Sequence, residues 1–227
     1  MMWHQHLNPN HSWAALWYNL ALCDCGAIRS SAPCQVCGSQ DYGFLHEQPD
    51  KDGSIRAVRV CKGAEARLED HLYLDLIQRE WERPASSQPG LLKHNHISSH
   101  GAVVLLFWAY FESRIRRLLV EGVATATDEL RNLVLLPHHG VGMMMGRLYR
   151  KVYGCTYEED LLAVGQQDVA ELLTKIQAVR NRFSHGNPDA ITDEFATHVV
   201  SQIENEHRAF ILVFNHRVAE RRAKAAD

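Results

Sequence analysis

The sequence predicts a mainly α-helical protein, a bundle of four or five helices preceded by a small N-terminal module that contains short strands. Two observations lead to this fold class. From Glu65 onward, apolar residues recur at helical spacing, whereas the segment from Asp24 to Val60 is rich in Gly, Ser, Pro and Asp. The chain of 227 residues is long enough to bury a core of its own. We therefore predict two domains, residues 1–64 and residues 65–227.

Helical periodicity gives the elements of the larger domain in chain order. The first helix, "ARLEDHLYLDLIQREWE", should end before Pro84, because proline cannot continue a helix. Four further helical stretches are predicted, from Ser98 to Val120, from Asp128 to Leu136 with a second piece from Met143 to Tyr153, from Asp168 to His185 and from Ala190 to Arg222. The last of these is long and carries one apolar face.

The N-terminal module is predicted from shorter signals. "SIRAVRVC" (Ser54 to Cys61) alternates enough to form a strand, and the turn signal "DKDG" precedes it. "WAALWYNLAL" (Trp13 to Leu22) is apolar and aromatic, which favours a short helix packed on one of the domains.

Charge and hydropathy restrict the partners. With 24 Lys and Arg against 27 Asp and Glu, the chain has no overall positive charge, so a polyanion would have to bind at local basic patches. The most apolar run, Ala102 to Phe111, is about half of the roughly 20 residues that a membrane span requires. The first residues lack the basic and apolar regions of an export signal. We expect a soluble, cytoplasmic protein without a membrane partner.

Four of the six cysteines follow the pattern C-x-C-x8-C-x2-C, and they are Cys23, Cys25, Cys34 and Cys37. In a reducing compartment such a cluster favours metal binding over disulfides, and four thiolates match a tetrahedral zinc ion. Gly26 and Gly38 follow the pairs and allow the backbone to turn beneath the metal. Because the first pair is unusually tight, Cys61 is an alternative ligand to Cys23. Four filled positions would make this zinc structural, in a zinc-ribbon-like module that recognises nucleic acid or protein. The alternatives are unrelated buried thiols or a redox "CQVC", although the βαβ context of a redox motif is missing.

A second motif, "RNRFSHGNP" (Arg180 to Pro188), lies where a helical pattern ends. Gly186 is predicted to form a left-handed cap, with Pro188 beyond it. A purely structural explanation is available, because a helix C-terminus favours a cation such as His185 while Arg180 and Arg182 face solvent.

The string Arg180-Asn181-xxx-His185, on the penultimate long helix of an all-helical domain, resembles the RNxxxH motif of the HEPN superfamily. The preceding "AVVLLFWAYFESRIRRLL" is similar to an earlier helix of that bundle, and the final long helix also fits. The resemblance covers about His96 to Ala223, roughly half of the chain. It implies a HEPN-like helical bundle and metal-independent RNA cleavage, in a site that two copies of the motif form across a homodimer.

The chemistry of these side chains fits that reaction. Histidine can exchange protons near neutral pH, so His185 would serve the attack of a ribose 2′-OH on the adjacent phosphorus. The guanidinium of Arg180 would hold the charge of the transition state, and Asn181 would orient His185 or the phosphate. The product would be a 2′,3′-cyclic phosphate, formed without a catalytic cofactor, and DNA would be inert. Arg182, Arg114 and Arg117 are the candidates for contacting the RNA backbone.

Three functions follow from these patterns. The first is a HEPN endoribonuclease acting in antiviral defence or as a toxin, with the zinc module selecting RNA or a regulatory partner such as an antitoxin. The second is a non-catalytic HEPN-like protein that binds RNA or protein. The third is an adaptor built on the zinc module, in which the helical bundle only dimerises.

Overall fold

A computed structural model of the chain describes residues 21–29, 32–40, 44–49, 55–60, 64–83, 101–123, 126–135 and 140–226. Among these residues the protein is mainly helical, which confirms the predicted class. It divides into two compact units, Met1–His71 together with Phe214–Asp227, and Leu72–Val213. The sequence analysis placed one boundary near residue 64, and the structure groups the C-terminal segment from Phe214 with the N-terminal residues.

The first unit contains two small antiparallel sheets. In one, β1 (Ala21–Leu22) pairs with β2 (Ile28–Arg29). In the other, β3 (Phe44–Pro49) pairs with β4 (Ile55–Val60), with Phe44 opposite Val60. The strand predicted from Ser54 to Cys61 is thus confirmed over Ile55–Val60. The helix predicted from Trp13 to Leu22 is wrong at its last two residues, because they pair with β2; residues 13–20, the turn "DKDG" and Cys61 lie outside the described residues.

The helices follow in chain order. They are α1 (Ala64–Trp81), α2 (Gly101–Gly122), α3 (Asp128–Leu135), α4 (Val141–Met143), α5 (Tyr149–Tyr153), α6 (Tyr157–Ala163), α7 (Gln167–Ser184), α8 (Asp193–Ser201) and α9 (Ile203–Ala226). A π-helical turn, Met144–Leu148, joins α4 to α5. In the part of the chain that is described, no helix has both the length and the apolar character to cross a membrane.

Two helical predictions need correction. The sequence was expected to form one helix from Ala190 to Arg222, but α8 ends and α9 begins around Gln202, whose ψ is near zero rather than helical. Helix α6 was not predicted. It begins at a capping box in which the Thr156 hydroxyl accepts from the Glu159 amide at 3.1 Å and the Glu159 carboxylate accepts from the Thr156 amide at 2.6 Å.

The core of the second unit is formed largely by one face of α2 and one face of α7. Helix α2 contacts α3, α5, α7, α8 and the π-helical turn. The apolar stripe of α7 is buried at Val169, Leu172, Leu173, Ile176 and Val179, whereas Phe183 in its last turn is half-buried. A short 3-10 turn, Pro188–Ala190, packs back against α7. The core therefore fixes the direction of α7 up to the last turn, which carries the RNxxxH string.

Candidate functional site

The four clustered cysteines come together in the first unit. One Sγ atom from each of Cys23, Cys25, Cys34 and Cys37 lies within 4.8 Å of all the others. The Cys23 and Cys37 sulfurs are 3.5 Å apart, and the Cys25 and Cys34 sulfurs are 3.8 Å apart. Four ligands at the zinc–sulfur distance of about 2.3 Å on a tetrahedron would be about 3.8 Å from one another. The cluster therefore fits a tetrahedral metal ion, and all four cysteines are free thiols.

Two backbone turns produce this convergence. In the first, the Cys23 amide donates to the Ala27 carbonyl at 2.8 Å, and the Gly26 amide donates to the Cys23 carbonyl at 2.8 Å. In the second, the Gly38 amide donates to the Cys34 carbonyl at 2.8 Å. Gly26 and Gly38 have φ values of 92° and 74°, in the left-handed region that side chains disfavour. The predicted role of both glycines as turn residues is confirmed.

The thiols of the cluster differ in pKa, and therefore in how readily they form the thiolate that binds a metal. Burial raises the pKa of Cys25 to about 12. Burial also acts to raise the pKa of Cys34, but hydrogen bonds from the backbone amides of Cys37 and Val36 and from the Cys37 and Cys23 thiols together outweigh it and lower this pKa to about 7. Thiolates are the metal-binding form, so loading the cluster at neutral pH would release protons.

A buried arginine supports the second cysteine turn. Arg29 in β2 is only 5% exposed, and its guanidinium donates to the Ser39 carbonyl at 2.8 Å. Ser39 in turn accepts from the Cys34 amide at 2.9 Å. No sequence signal points to Arg29, because the contact links residues ten positions apart across an irregular segment.

The RNxxxH string lies at the C-terminal end of α7. His185 is the C-cap residue of α7, and Gly186 follows it in the left-handed conformation with a φ of 90°. The Gly186 amide donates to the Phe183 carbonyl at 3.1 Å, and the Asn187 amide donates to the Arg182 carbonyl at 3.1 Å. This pair of bonds is a Schellman motif, so the predicted glycine cap is confirmed.

The side chains of the string differ in their surroundings. Arg180 is half-buried, and its guanidinium donates to the Asn181 amide oxygen at 3.3 Å. Asn181, Arg182 and His185 are exposed. His185 follows Arg180 by five positions, which is about 7.5 Å along the helix axis. The structure thus brings Arg180 and Asn181 into contact and presents His185 to solvent at the helix end.

Arg114 is not where an RNA contact would require it. Its side chain is completely buried, and its guanidinium pairs with the equally buried Glu206 carboxylate at 2.9 Å. The guanidinium carbon also lies 4.1 Å from the centre of the Phe210 ring and 4.5 Å from that of Tyr110, which are cation–π distances. We therefore correct the prediction that Arg114 holds the RNA backbone, since it links α2 to α9 inside the second unit.

Other basic residues of the second unit lie closer to solvent than Arg114. Arg117 is half-buried and donates to the Ser113 hydroxyl at 3.4 Å. The basic group of α5 and the preceding turn is exposed, and it consists of Arg147, Arg150 and Lys151. Arg150 lies 3.7 Å from Glu159, which offsets part of its charge.

Comparison of the chain with protein-family models, with curated proteins and with solved structures gives no match. The features that bear on function are therefore those of the chain itself, a four-cysteine cluster and an RNxxxH string at a capped helix end.

Proposed function

We propose that the chain is a metal-independent endoribonuclease of the HEPN type that acts as a homodimer and carries a structural zinc module. The observation that carries this proposal is the end of α7, where an arginine bonded to its neighbouring amide precedes an exposed histidine at a glycine-capped terminus. The burial of the α7 stripe supports it, because a catalytic group must be held by a rigid element.

In the proposed reaction His185 transfers protons while the 2′-OH of the substrate attacks the adjacent phosphorus. The P–O5′ bond breaks, and the products are a 2′,3′-cyclic phosphate and a 5′-hydroxyl. Arg180 stabilises the negative charge of the non-bridging oxygens with its planar fork of donors. Its contact with Asn181 restricts the guanidinium beforehand, which reduces the ordering cost on binding the phosphate.

The homodimer is part of the proposal because one histidine cannot be general base and general acid at once. A second RNxxxH string facing the first would supply the missing group and a second arginine. Arg182 and Arg117 remain candidates for holding the RNA backbone, and an antitoxin or other regulatory partner would act at the same surface. Toxin or defence activity is the biological setting that we propose.

Zinc is the metal that we propose for the cysteine cluster. Four sulfur ligands at tetrahedral spacing suit zinc, and they leave no coordination position for a reactive water. The metal would therefore stabilise the module and take no part in RNA cleavage.

The experiment is cleavage of labelled RNA by the full chain during a brief exposure to EDTA, with zinc content measured in parallel. We expect cleavage to persist, with cyclic phosphate ends, and DNA to remain intact. His185→Ala and Arg180→Ala should each lower the rate by about 10²- to 10⁴-fold. His198→Ala is the matched control, because His198 is also an exposed helical histidine. Intact RNA with the wild-type dimer, or equal rates for all variants, would refute the nuclease.

The burial of Arg114 favours a second function, a non-catalytic HEPN-like adaptor that binds RNA or protein. With that cation inside the core, fewer charges are available to hold a substrate for turnover. Binding of RNA without cleavage, weakened by Arg182→Ala and unchanged by His185→Ala, would support the adaptor.

A further inference from the structure

We propose that Asn215, on the C-terminal part of α9, positions the first cysteine turn for metal binding. The inference rests on the proposal that the four-cysteine cluster binds zinc. Asn215 belongs to the same compact unit as the cluster, because that unit combines Met1–His71 with Phe214–Asp227.

The side-chain amide of Asn215 satisfies both backbone groups of one residue. The Ile28 amide donates to the Asn215 Oδ1 at 2.8 Å, and the Asn215 Nδ2 donates to the Ile28 carbonyl at 2.7 Å. In a strand, the N–H and C=O of one residue point to the same edge. Asn215 therefore completes an edge of β2 as a neighbouring strand would.

That edge belongs to the hairpin that carries the first two cysteines. Ile28 is paired with Leu22, the residue directly before Cys23, and the turn between them holds Cys23 and Cys25. A two-stranded ribbon of two residues per strand is too short to be stable alone. The hydrogen bonds with Asn215 therefore help to stabilise this hairpin. They also hold the turn that carries the Cys23 and Cys25 thiols in position.

A second close approach lies one helical turn further along α9. Val218 is buried, and a Cβ built on Gly26 would lie 3.9 Å from its Cγ1 atom. Asn215 and Val218 are three residues apart, so they share one face of the helix. This face therefore meets the first cysteine turn at two points, one polar and one apolar.

Residues that orient metal ligands without touching the metal typically change affinity by about 10- to 100-fold when they are replaced. We expect a change of that size for Asn215→Ala, measured on the full chain by zinc titration against a chromophoric chelator. Asn215→Asp keeps the acceptor for the Ile28 amide but sets a carboxylate oxygen against the Ile28 carbonyl, so its affinity should also fall. Asn205→Ala is the matched control, because Asn205 is an exposed asparagine of the same helix whose side-chain amide donates to nearby Gln202 at 2.8 Å.

Cobalt substitution separates positioning from general destabilisation. A loosened first turn should shift or weaken the d–d bands of the cobalt-loaded Asn215 variants, while their helical circular dichroism stays at the wild-type level. Wild-type affinity and cobalt spectrum in Asn215→Ala would overturn the inference, and Asn215→Asp decides by the same criteria if the alanine variant does not fold. A wild-type chain that binds no zinc would instead refute the metal proposal itself.

Discussion

The cysteine cluster and the end of α7 are both built on turns with left-handed glycines, but only the cluster brings together all the groups that its proposed site needs. Both depend on left-handed glycines, Gly26 and Gly38 in the cluster and Gly186 at the helix end. In the cluster, two turns face each other and bring four ligand atoms within 4.8 Å. At the helix end, one turn presents His185 to solvent while Arg180 lies about one and a half turns earlier. A metal centre can thus be completed within one chain, whereas the proposed nuclease site needs a second contributor.

The largest effect is expected from breaking the complete site. Cys34→Ser should abolish tight zinc binding, because a hydroxyl is a poor replacement for the thiolate that the Cys37 and Val36 amides stabilise. Structural zinc contributes roughly 10–16 kcal/mol of apparent binding free energy in small modules, so the first unit should lose its fold. Zinc content and thermal unfolding of the purified chain measure both consequences.

Cys155→Ser is the control for that variant. Cys155 belongs to the second unit, where its thiol donates to an Asp160 carboxylate oxygen at 3.2 Å, and it lies outside the cluster. The Cys155→Ser variant should therefore retain one zinc ion per chain. If Cys34→Ser retained zinc with wild-type affinity, the spacing of the four sulfurs would be irrelevant to metal binding.

The comparison also separates what spacing predicts from what packing decides. The cysteine pattern and the "HGNP" ending encode local turns, so the sequence predicted the convergence of the four cysteines and the end of α7. The π-helical turn at Met144–Leu148 and the break at Gln202 have no comparable signal, since neither contains a proline. Local propensity is a weak guide at such points, because tertiary packing routinely overrides it.

The prediction that Arg114 contacts an RNA backbone shows how sequence reasoning fails at a buried charge. It lies within "ESRIRRLL", a basic run of the kind that usually faces solvent. Its spacing from Phe107, Phe111 and Leu118 nevertheless places it on the buried stripe of α2. The partner that makes burial possible, Glu206, is 92 positions away, so only the folded chain identifies it.

Replacing Arg114 tests whether this residue belongs to the core or to the proposed nuclease surface. Arg114→Ala leaves the Glu206 carboxylate buried without its guanidinium partner, which should cost roughly 3–5 kcal/mol of unfolding free energy. Denaturant unfolding would measure the loss. The double variant Arg114→Met with Glu206→Leu should recover most of it, because it removes both charges.

Arg117→Ala provides the matched comparison on the same helix. Arg117 is only half-buried, so its removal should change the unfolding free energy by less than about 1 kcal/mol. If Arg114→Ala were as mild as Arg117→Ala, Arg114 would have to leave the core readily, and its assignment to the RNA surface would regain support.

The smallest effect concerns the helix cap itself, and it separates a cap that only ends a helix from one that presents a catalytic group. Gly165, with a φ of 73°, closes α6 by the same hydrogen-bond pattern that Gly186 uses to close α7. A Cβ at either glycine meets no atom within 4 Å, so each change to alanine costs backbone strain alone, about 1 kcal/mol. Both variants should unfold at similar denaturant concentrations. Only Gly186→Ala should also lower RNA cleavage, because relief of the strain would displace the adjacent His185. Equal cleavage by the two variants would mean that the "HGNP" ending serves only to cap the helix.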